Sequence, residues 1–350
     1  MQYSHGFEIN CMPTQTYRVF KLRFPGGLHL AKGKSEYDQS DTILHSDTLK
    51  SALFVCALQL FGEKTIQSSF LDYFTLSSAY PFFRSEFFFP KPMASLPQLE
   101  GIEQEKQGKR LKKVQYFGKS YFEQLLAGSA DVMQAAHLHD GDKYVSDHEH
   151  LVGEKSITIV RSSVQQRVTI PYDFTEDPTP YYVDRLFFGE EAGLFFLLDC
   201  SNEVVCQQVK ASLALLGDNG IGTDKTVGNG YFTFEESELL LQVPERATHQ
   251  LCLSLYCPAE EELNEQVLSN SSYNLIKRGG YLANPQNVEN IRLRKRSVYM
   301  FTEGSVFPRS HPLRGKLVDL KPEIPLVTHP VWRDGRALFL PILPLSDDLH

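Results

Sequence analysis

The sequence predicts an α+β fold made of two βαββαβ-type units, the first large and interrupted, the second a degenerate copy. Three observations carry this. A strand pattern (Thr16–Phe24) runs into a helix opening at Ser46, and after a long insertion a second strand–helix–strand series follows (Gly193–Asp199, Asn202–Leu216, Tyr231–Val243). A weaker series of the same kind begins after Glu245. The regular strand–helix alternation of a doubly wound parallel sheet is missing. The expected division is therefore 1–245, with an insertion at 90–190 and a glycine-rich loop at 217–231, and 246–350.

The elements read as follows. Met1–Gln15 is polar and reads as a loose arm. Thr16–Phe24 alternates apolar and polar residues, the period of a half-buried strand, and Pro25-Gly26-Gly27 breaks it. Leu28–Asp41 is a loop carrying His29, Lys32 and Lys34. Ser46 is read as the N-cap of a helix with Asp47 in its first turn. Leu49, Leu53, Cys56, Ala57 and Leu60 make its buried face, and Gly62 ends it. Phe74–Arg84 and Glu86–Pro90 are aromatic strands, kept short by Pro81, Pro90 and Pro92. Ser156–Ile170 reads as a hairpin carrying Arg161 and Arg167. Gly193–Asp199 is apolar enough for a central strand, and Val205, Val209, Leu213 and Leu216 give the next helix its buried face. In the second unit the expected elements are strands at Gln250–Cys257, Tyr273–Leu282, Ser297–Phe301 and Arg336–Pro341, with an acidic helix at Glu260–Leu268.

The 350 residues are 42% hydrophobic and 22% charged, a globular balance. Apolar runs fall short of the ~20 residues of a membrane helix, and no charged-then-apolar leader pattern opens the chain. Six scattered cysteines without a C-x-x-C pair suggest reduced core thiols in a cytoplasmic protein, with no zinc framework. The net charge of −8 argues against a chain basic all over, yet Lys277–Lys316 holds nine Lys/Arg and two Glu, a local +7. Such asymmetry points to a polyanionic partner. Lys106–Lys119, with six Lys/Arg around Tyr116 and Phe117, suits either a nucleic-acid strand or a solvated basic face. His137–His150 mixes four His with three Asp and reads as a loop, with a metal site the minor alternative.

The chemistry concentrates in Gly217–Tyr231, GDNGIGTDKTVGNGY. Five glycines follow a helix and precede a strand. Glycines let a backbone approach a ligand closely, and N–H groups of such a bend form a concavity for anions. This is neither a Walker A loop nor a dinucleotide fingerprint. The alternative is a long surface turn.

The runs LHL and SDTILHSDTLKSAL, SSAYPFF and FFPKP, GDNGIGTDKTVGNGYF, RGGY, GSVF and HPVWRDG occur in this order over nearly the whole chain. Together they resemble the fourth Csm subunit, the RAMP-type protein of type III-A CRISPR effector complexes. Thr223 stands where that family usually has another glycine, and Lys225 where it often has arginine. The resemblance implies two ferredoxin-like (RRM-like) RAMP domains. It implies a non-catalytic subunit that caps the complex, holds the 5′ handle of the CRISPR RNA and docks the large polymerase-like subunit. A backbone RAMP subunit would pack on its other side, and a thumb hairpin, placed at Ser156–Ile170, would press into the guide. No cofactor, metal or membrane is expected.

Single-stranded RNA is held by backbone contacts, stacking and edge hydrogen bonds. Gly220, Gly222, Gly228 and Gly230 would give close approach, and Lys225, Thr226 and Asn229 side-chain donors. His29, Lys32, Lys34 and Ser46 would form a facing wall, Arg278, Arg292, Arg294 and Arg309 a basic track, and Arg161 and Arg167 would act on the thumb. Two alternatives stay open: an endoribonuclease using a histidine base such as His29, and an assembly adaptor that never touches RNA.

Overall fold

The computed structural model describes residues 12–31, 38–66, 68–129, 132–152, 157–170, 177–223, 225–282, 293–310, 312–324 and 327–343. The chain runs through β1 (Thr14–Arg23), α1 (Ser46–Phe61), β2 (Tyr80–Phe83), β3 (Glu86–Pro90), α2 (Gln104–Leu111), β4 (Tyr116–Gly118) and α3 (Lys119–Leu126). It continues through β5 (Val160–Thr169), β6 (Thr179–Phe188), β7 (Ala192–Cys200), α4 (Glu203–Asn219) and β8 (Thr233–Gln242).

The main sheet has the order β8–β1–β7–β2–β3–β4 and extends through two short strands at Tyr144–Val145 and Leu138–His139. The β1–β8, β1–β7 and β7–β2 pairings are all antiparallel. The order β8–β1–β7–β2 follows from two strand–helix crossovers interleaved in one sheet, with α1 between β1 and β2 and α4 between β7 and β8.

Period-two patterning puts the two sides of this sheet into two cores. Phe20 and Leu22 of β1 and Leu194, Phe196 and Leu198 of β7 pack under α1 and α4, which add Leu49, Leu53, Val209 and Leu213. Val19, Phe195 and Leu197 point the other way, into a core shared with α3, the aromatic strands β3 and β4, and residues 251–253 and 338–342 of the second unit. Neither side of the central strands faces water. That accounts for the continuous apolar run of β7, buried at every position from Ala192 to Leu198.

The ends of α4 match their residues. Asn202 caps it, accepting from Val204 N at 3.0 Å and Val205 N at 3.3 Å, and the helix runs to Asn219, three residues past the expected end. At α1 the expectation shifts by one. His45 holds the N-cap position, and Ser46 lies inside the helix. Leu60, expected on the buried face, is 45% exposed.

The hairpin also differs. Residues 160–169 form one ten-residue arm, β5, paired with β6 as the other, so the hairpin spans Val160–Phe188 rather than folding within Ser156–Ile170. Its outer half exposes Val164, Val168 and Tyr182.

The second unit contains β9 (His249–Cys252), α5 (Glu265–Ser269), β10 (Leu275–Arg278), β11 (Val298–Phe301), β12 (Val306–Pro308), β13 (Leu317–Asp319), β14 (Trp332–Asp334) and β15 (Phe339–Ile342). Its strands make a three-stranded sheet, β12–β9–β15, and two separate pairs, β10–β11 and β13–β14. The acidic helix shrinks to one turn at Glu260–Glu262 followed by the five-residue α5. Prolines 308, 312, 322, 330 and 341 remove ladder donors and keep these strands to three or four residues.

Candidate functional site

The glycine-rich bend sits between α4 and β8, against the turn Gly26–His29 that follows β1. Thr223 N donates to His29 O at 3.0 Å and Gly230 N to Gly27 O at 2.9 Å. The bend closes on itself through Ile221 N to Gly230 O, at 2.9 Å. Gly222 (φ +91°) and Gly230 (φ +77°) have left-handed backbone, where side chains are disfavoured. A Cβ on Gly222 would lie 2.4 Å from His29 O, and one on Gly230 1.8 Å from Ile221 O. A Cβ on Gly220 would lie 3.1 Å from Asn229 O. The close approach these three glycines permit is thus to the chain's own backbone. Gly228 differs: it is exposed, and a Cβ there would meet nothing within 4 Å. Its N–H donates to Lys225 O at 3.0 Å, so the N–H groups of Gly228 and Gly230 are used within the fold rather than offered to a phosphate.

Of the three expected donors, Lys225 is exposed. Thr226 lies in the short turn Lys225–Val227, and its side chain falls outside the described residues. Asn229 is fully buried, a correction to its surface role; neither its amide nitrogen nor its oxygen has a hydrogen-bond partner.

The facing wall is also largely internal. His29 is fully buried, and its Nδ1 donates to Asp184 O at 2.6 Å. Asp184 accepts in turn from Ser40 N at 3.0 Å and from the Ser162 hydroxyl. Arg185 donates to Gly26 O, and Leu28 pairs with Leu186. Bend, wall and hairpin base are therefore one bonded assembly. In it Lys225 and Gly228 are exposed, as is Arg161 of β5, while Arg167 is half-buried. Lys32, Lys34 and Arg292 lie outside the described residues.

A second cluster surrounds the first turn of α1. Ser46 is buried, and its hydroxyl accepts from Leu255 N at 2.9 Å, so it joins the two units instead of facing a ligand. Asp47, fully buried, accepts from Arg278 Nε at 2.9 Å and Nη2 at 3.1 Å and from Arg333 Nη1. Burial alone would raise this carboxyl; the Arg333 and Arg278 guanidinium groups hold it well below the usual carboxylate range. Arg278 also donates to Thr48 Oγ1 at 2.9 Å, so this member of the expected basic track braces the helix start.

Lys50 Nζ lies 2.7 Å from Asp334 Oδ2, and burial pushes the ammonium down to about 8. Arg336 Nη2 lies 2.6 Å from Asp334 Oδ2, and Arg336 also pairs with Asp72. His45 Nδ1 is 2.8 Å from Glu303 and Nε2 3.2 Å from Asp41. Burial opposes its charge, but the Glu303 carboxylate outweighs that and lifts it to about 10. Five of these residues, Arg278, Glu303, Arg333, Asp334 and Arg336, come from the second unit and close on the start of α1.

Arg294 is exposed and stacks on Tyr281, its guanidinium 5.5 Å from the ring centroid. Arg309 is exposed at the end of β12. In the basic stretch 106–119, Tyr116 and Phe117 are buried core residues, not stacking platforms. Arg110 pairs with Asp142 at 2.6 Å and Lys119 with Glu123 at 3.1 Å.

The His/Asp segment is ordered by separate bonds: His137 to the Tyr121 hydroxyl at 2.8 Å, His139 to Ser146 O at 2.9 Å and His148 to Ser85 at 3.2 Å. Among the described residues no three His, Cys, Asp or Glu side chains gather as metal ligands, and no helix is long and apolar enough to cross a membrane. Cys200 and Cys206 are joined by a disulfide across the start of α4, against the expectation of six reduced thiols; Cys56, Cys252 and Cys257 are free and buried.

Sequence reasoning missed Arg333, Lys50, Glu303 and Asp334 as a cluster. The signal present was the membership of Lys50 in SDTLKSAL and of Arg333 and Asp334 in HPVWRDG, and the position of Glu303 beside GSVF, read there only as marks of resemblance. Glu86 was missed as well. It is buried, its Oε1 accepts from Lys119 N at 3.0 Å and Ser146 Oγ at 2.9 Å, and burial pushes its carboxyl up to about 7.

Residues 245–342 match the sequence model of the CRISPR Csm4 C-terminal domain. A Csm4 protein of Mycobacterium tuberculosis is 28% identical over 298 residues, covering 84% of this chain and 88% of that one. A Csm4 protein of Methanocaldococcus jannaschii is 22% identical, covering 94% and 98%. Among solved structures, a chain of a Csm3–Csm4 subcomplex of a type III-A CRISPR–Cas interference complex superposes with TM-score 0.62 at 19% identity, over 94% of this chain and 100% of that one. A chain of a Csm1–Csm4 cassette in complex with cA4 gives 0.58 at 19%, over 94% and 99%. The mixed α/β fold is that of these structures.

Proposed function

We propose, on the resemblance to Csm4 that the family match and the curated relatives bear out, that this chain is a non-catalytic RNA-holding subunit of a type III-A CRISPR effector complex. It caps the complex, grips the 5′ handle of the CRISPR RNA, docks the large polymerase-like subunit and packs against a backbone RAMP subunit. The first unit serves as a ferredoxin-like RAMP domain, and β5–β6 serves as the thumb.

One observation carries the reading: the glycine bend, the Gly26–His29 turn and the hairpin base are hydrogen-bonded into one rigid platform. Single-stranded RNA needs such a prearranged rail of backbone and cations rather than a deep pocket. The bend's own hydrogen bonds fix Lys225 and Gly228 at its outer lip, where a ribose–phosphate chain can pass without meeting a side chain at 228. The burial of His29 supports the non-catalytic reading, since a general base must reach the proton it removes.

Crosslinking within the assembled complex tests the proposal. RNA adducts on the peptide containing Lys225 are expected. Adducts confined to other subunits favour the adaptor alternative, and a defined cut in repeat RNA by the isolated chain favours the nuclease.

A further inference from the structure

The main sheet ends at β8, and among the described residues no strand pairs with it on the side away from β1. The register fixes which backbone groups face outward. Val243 N donates to Pro13 O at 3.0 Å, and Gln242 N turns the other way, to Glu123 Oε1 at 2.8 Å. The pairing then runs one to one from Gln242 opposite Thr14 to Thr233 opposite Arg23. Odd-numbered residues of β8 therefore bond to β1, and the N–H and C=O groups of Phe234, Glu236, Glu238 and Leu240 point away from it. Such a row is a template for a further strand, and proteins blunt it with proline, bulges or charge. β8 spans ten residues with no proline and no bulge, and has charge alone.

The side chains narrow the occupant. Glu236 is matched by Lys210 at 2.6 Å and Arg18 at 3.4 Å. The Glu235 side chain is 64% exposed and reaches Arg23 only at 3.7 Å, and Glu238 is exposed. Odd and even positions lie on opposite sides of the sheet, so each side offers one acid. Leu240, 54% exposed, shares a side with Glu238.

We propose that the β8 edge docks an extended protein segment, which adds to the main sheet as an antiparallel strand. The segment carries an apolar residue opposite Leu240, then Lys or Arg two and five positions further on, opposite Glu238 and Glu235. Main-chain hydrogen bonds supply the affinity, and the paired charges select the partner. A second copy of this chain fits poorly, because antiparallel pairing of two β8 edges brings Glu236 and Glu238 of both copies together. The same acids repel a phosphate backbone. Residues 1–11, which lie outside the described residues, contain no Lys or Arg.

The probe is a fluorescein-labelled peptide, Thr-Val-Thr-Lys-Val-Thr-Lys-Thr, titrated with the full chain and read by fluorescence anisotropy. Saturable binding is expected, with slowed hydrogen exchange over residues 234–240. The same peptide N-methylated at the alternate amides that face β8 should bind at least about tenfold more weakly. Leu240→Pro removes one outward N–H without touching the bonds to β1 and should weaken binding by at least about tenfold, while Leu240→Ala keeps that N–H and stays within about threefold. Replacing both Glu235 and Glu238 with Gln should cost about fivefold at low salt and little at high salt. No saturable binding to the wild type would mean that the glutamates only guard the edge, and the proposal falls. Equal binding of the N-methylated peptide, or of Leu240→Pro, would reduce the contact to charge attraction and also refute it. A dimer in sedimentation that Leu240→Pro abolishes would make a second copy the occupant, again against the proposal.

Discussion

Replacing Gly230 with Ala tests whether the glycine bend is held by its own chain. Its φ is +77°. Ala there costs about 1–2 kcal/mol for the left-handed backbone alone. The new Cβ would also stand 1.8 Å from Ile221 O, a backbone atom that cannot swing aside as a side chain would. Moving that peptide strains or breaks the bond from Ile221 N to Gly230 O and adds about 1–3 kcal/mol. The total is about 2–5 kcal/mol. Gly228→Ala is the control. Its φ of +89° carries the same backbone cost, but no atom lies within 4 Å of the new methyl. Denaturant unfolding followed by circular dichroism, with both variants in parallel, reads the difference. Equal losses, or a wild-type midpoint for Gly230→Ala, would refute the argument that the bend's tight glycines serve its own packing.

Asp47→Ala leaves the Arg278 and Arg333 guanidinium groups facing each other without their shared carboxylate. The expected loss is about 3–5 kcal/mol at neutral pH. This carboxyl's pKa is depressed in the folded state, so its contribution is present above its unfolded value of 3.8. That contribution fades as pH falls through the folded value, so the two melting curves should converge in acid. A loss under about 1 kcal/mol at pH 7 would contradict the buried network. Glu86→Gln has the opposite sign. A carboxyl raised from 4.5 to about 7 binds its proton more tightly in the folded state, so the wild type loses stability as pH rises between those values. The amide keeps the acceptor for Ser146 and Lys119 N, and the variant should be more stable by about 1–3 kcal/mol at pH 8. Thermal melts from pH 4 to 8 that run parallel for both proteins would count against it.

The first unit was legible because its residues obey local rules. The alternation in β1, the Asn202 cap of α4 and the continuous apolar run of β7 each state their element within a dozen residues. The second unit was not, since strands of three or four residues broken by proline carry too little period to fix a sheet order. At the site, sequence singled out the glycine bend. It could not tell a glycine that admits a ligand from one that admits the chain's own carbonyl, because His29 O and Gly222 are nearly two hundred residues apart in sequence. Asp47, Arg278 and Arg333 raise the same difficulty. Their charges read as surface chemistry until folding brings three distant segments to one buried point.

The placement of Leu251, Leu253, Leu338, Leu340 and Ile342 beneath the first unit's sheet has a consequence for synthesis. When β8 leaves the ribosome, one side of the sheet still lacks these residues, and roughly a hundred more must be translated before the cover is complete. At about 5–20 residues per second, that interval lasts about 5–20 s. During it, the side of the sheet carrying Val19 and Leu197 lacks part of its cover. A nascent chain stalled in this window should therefore recruit a holding chaperone more readily than one stalled past residue 342.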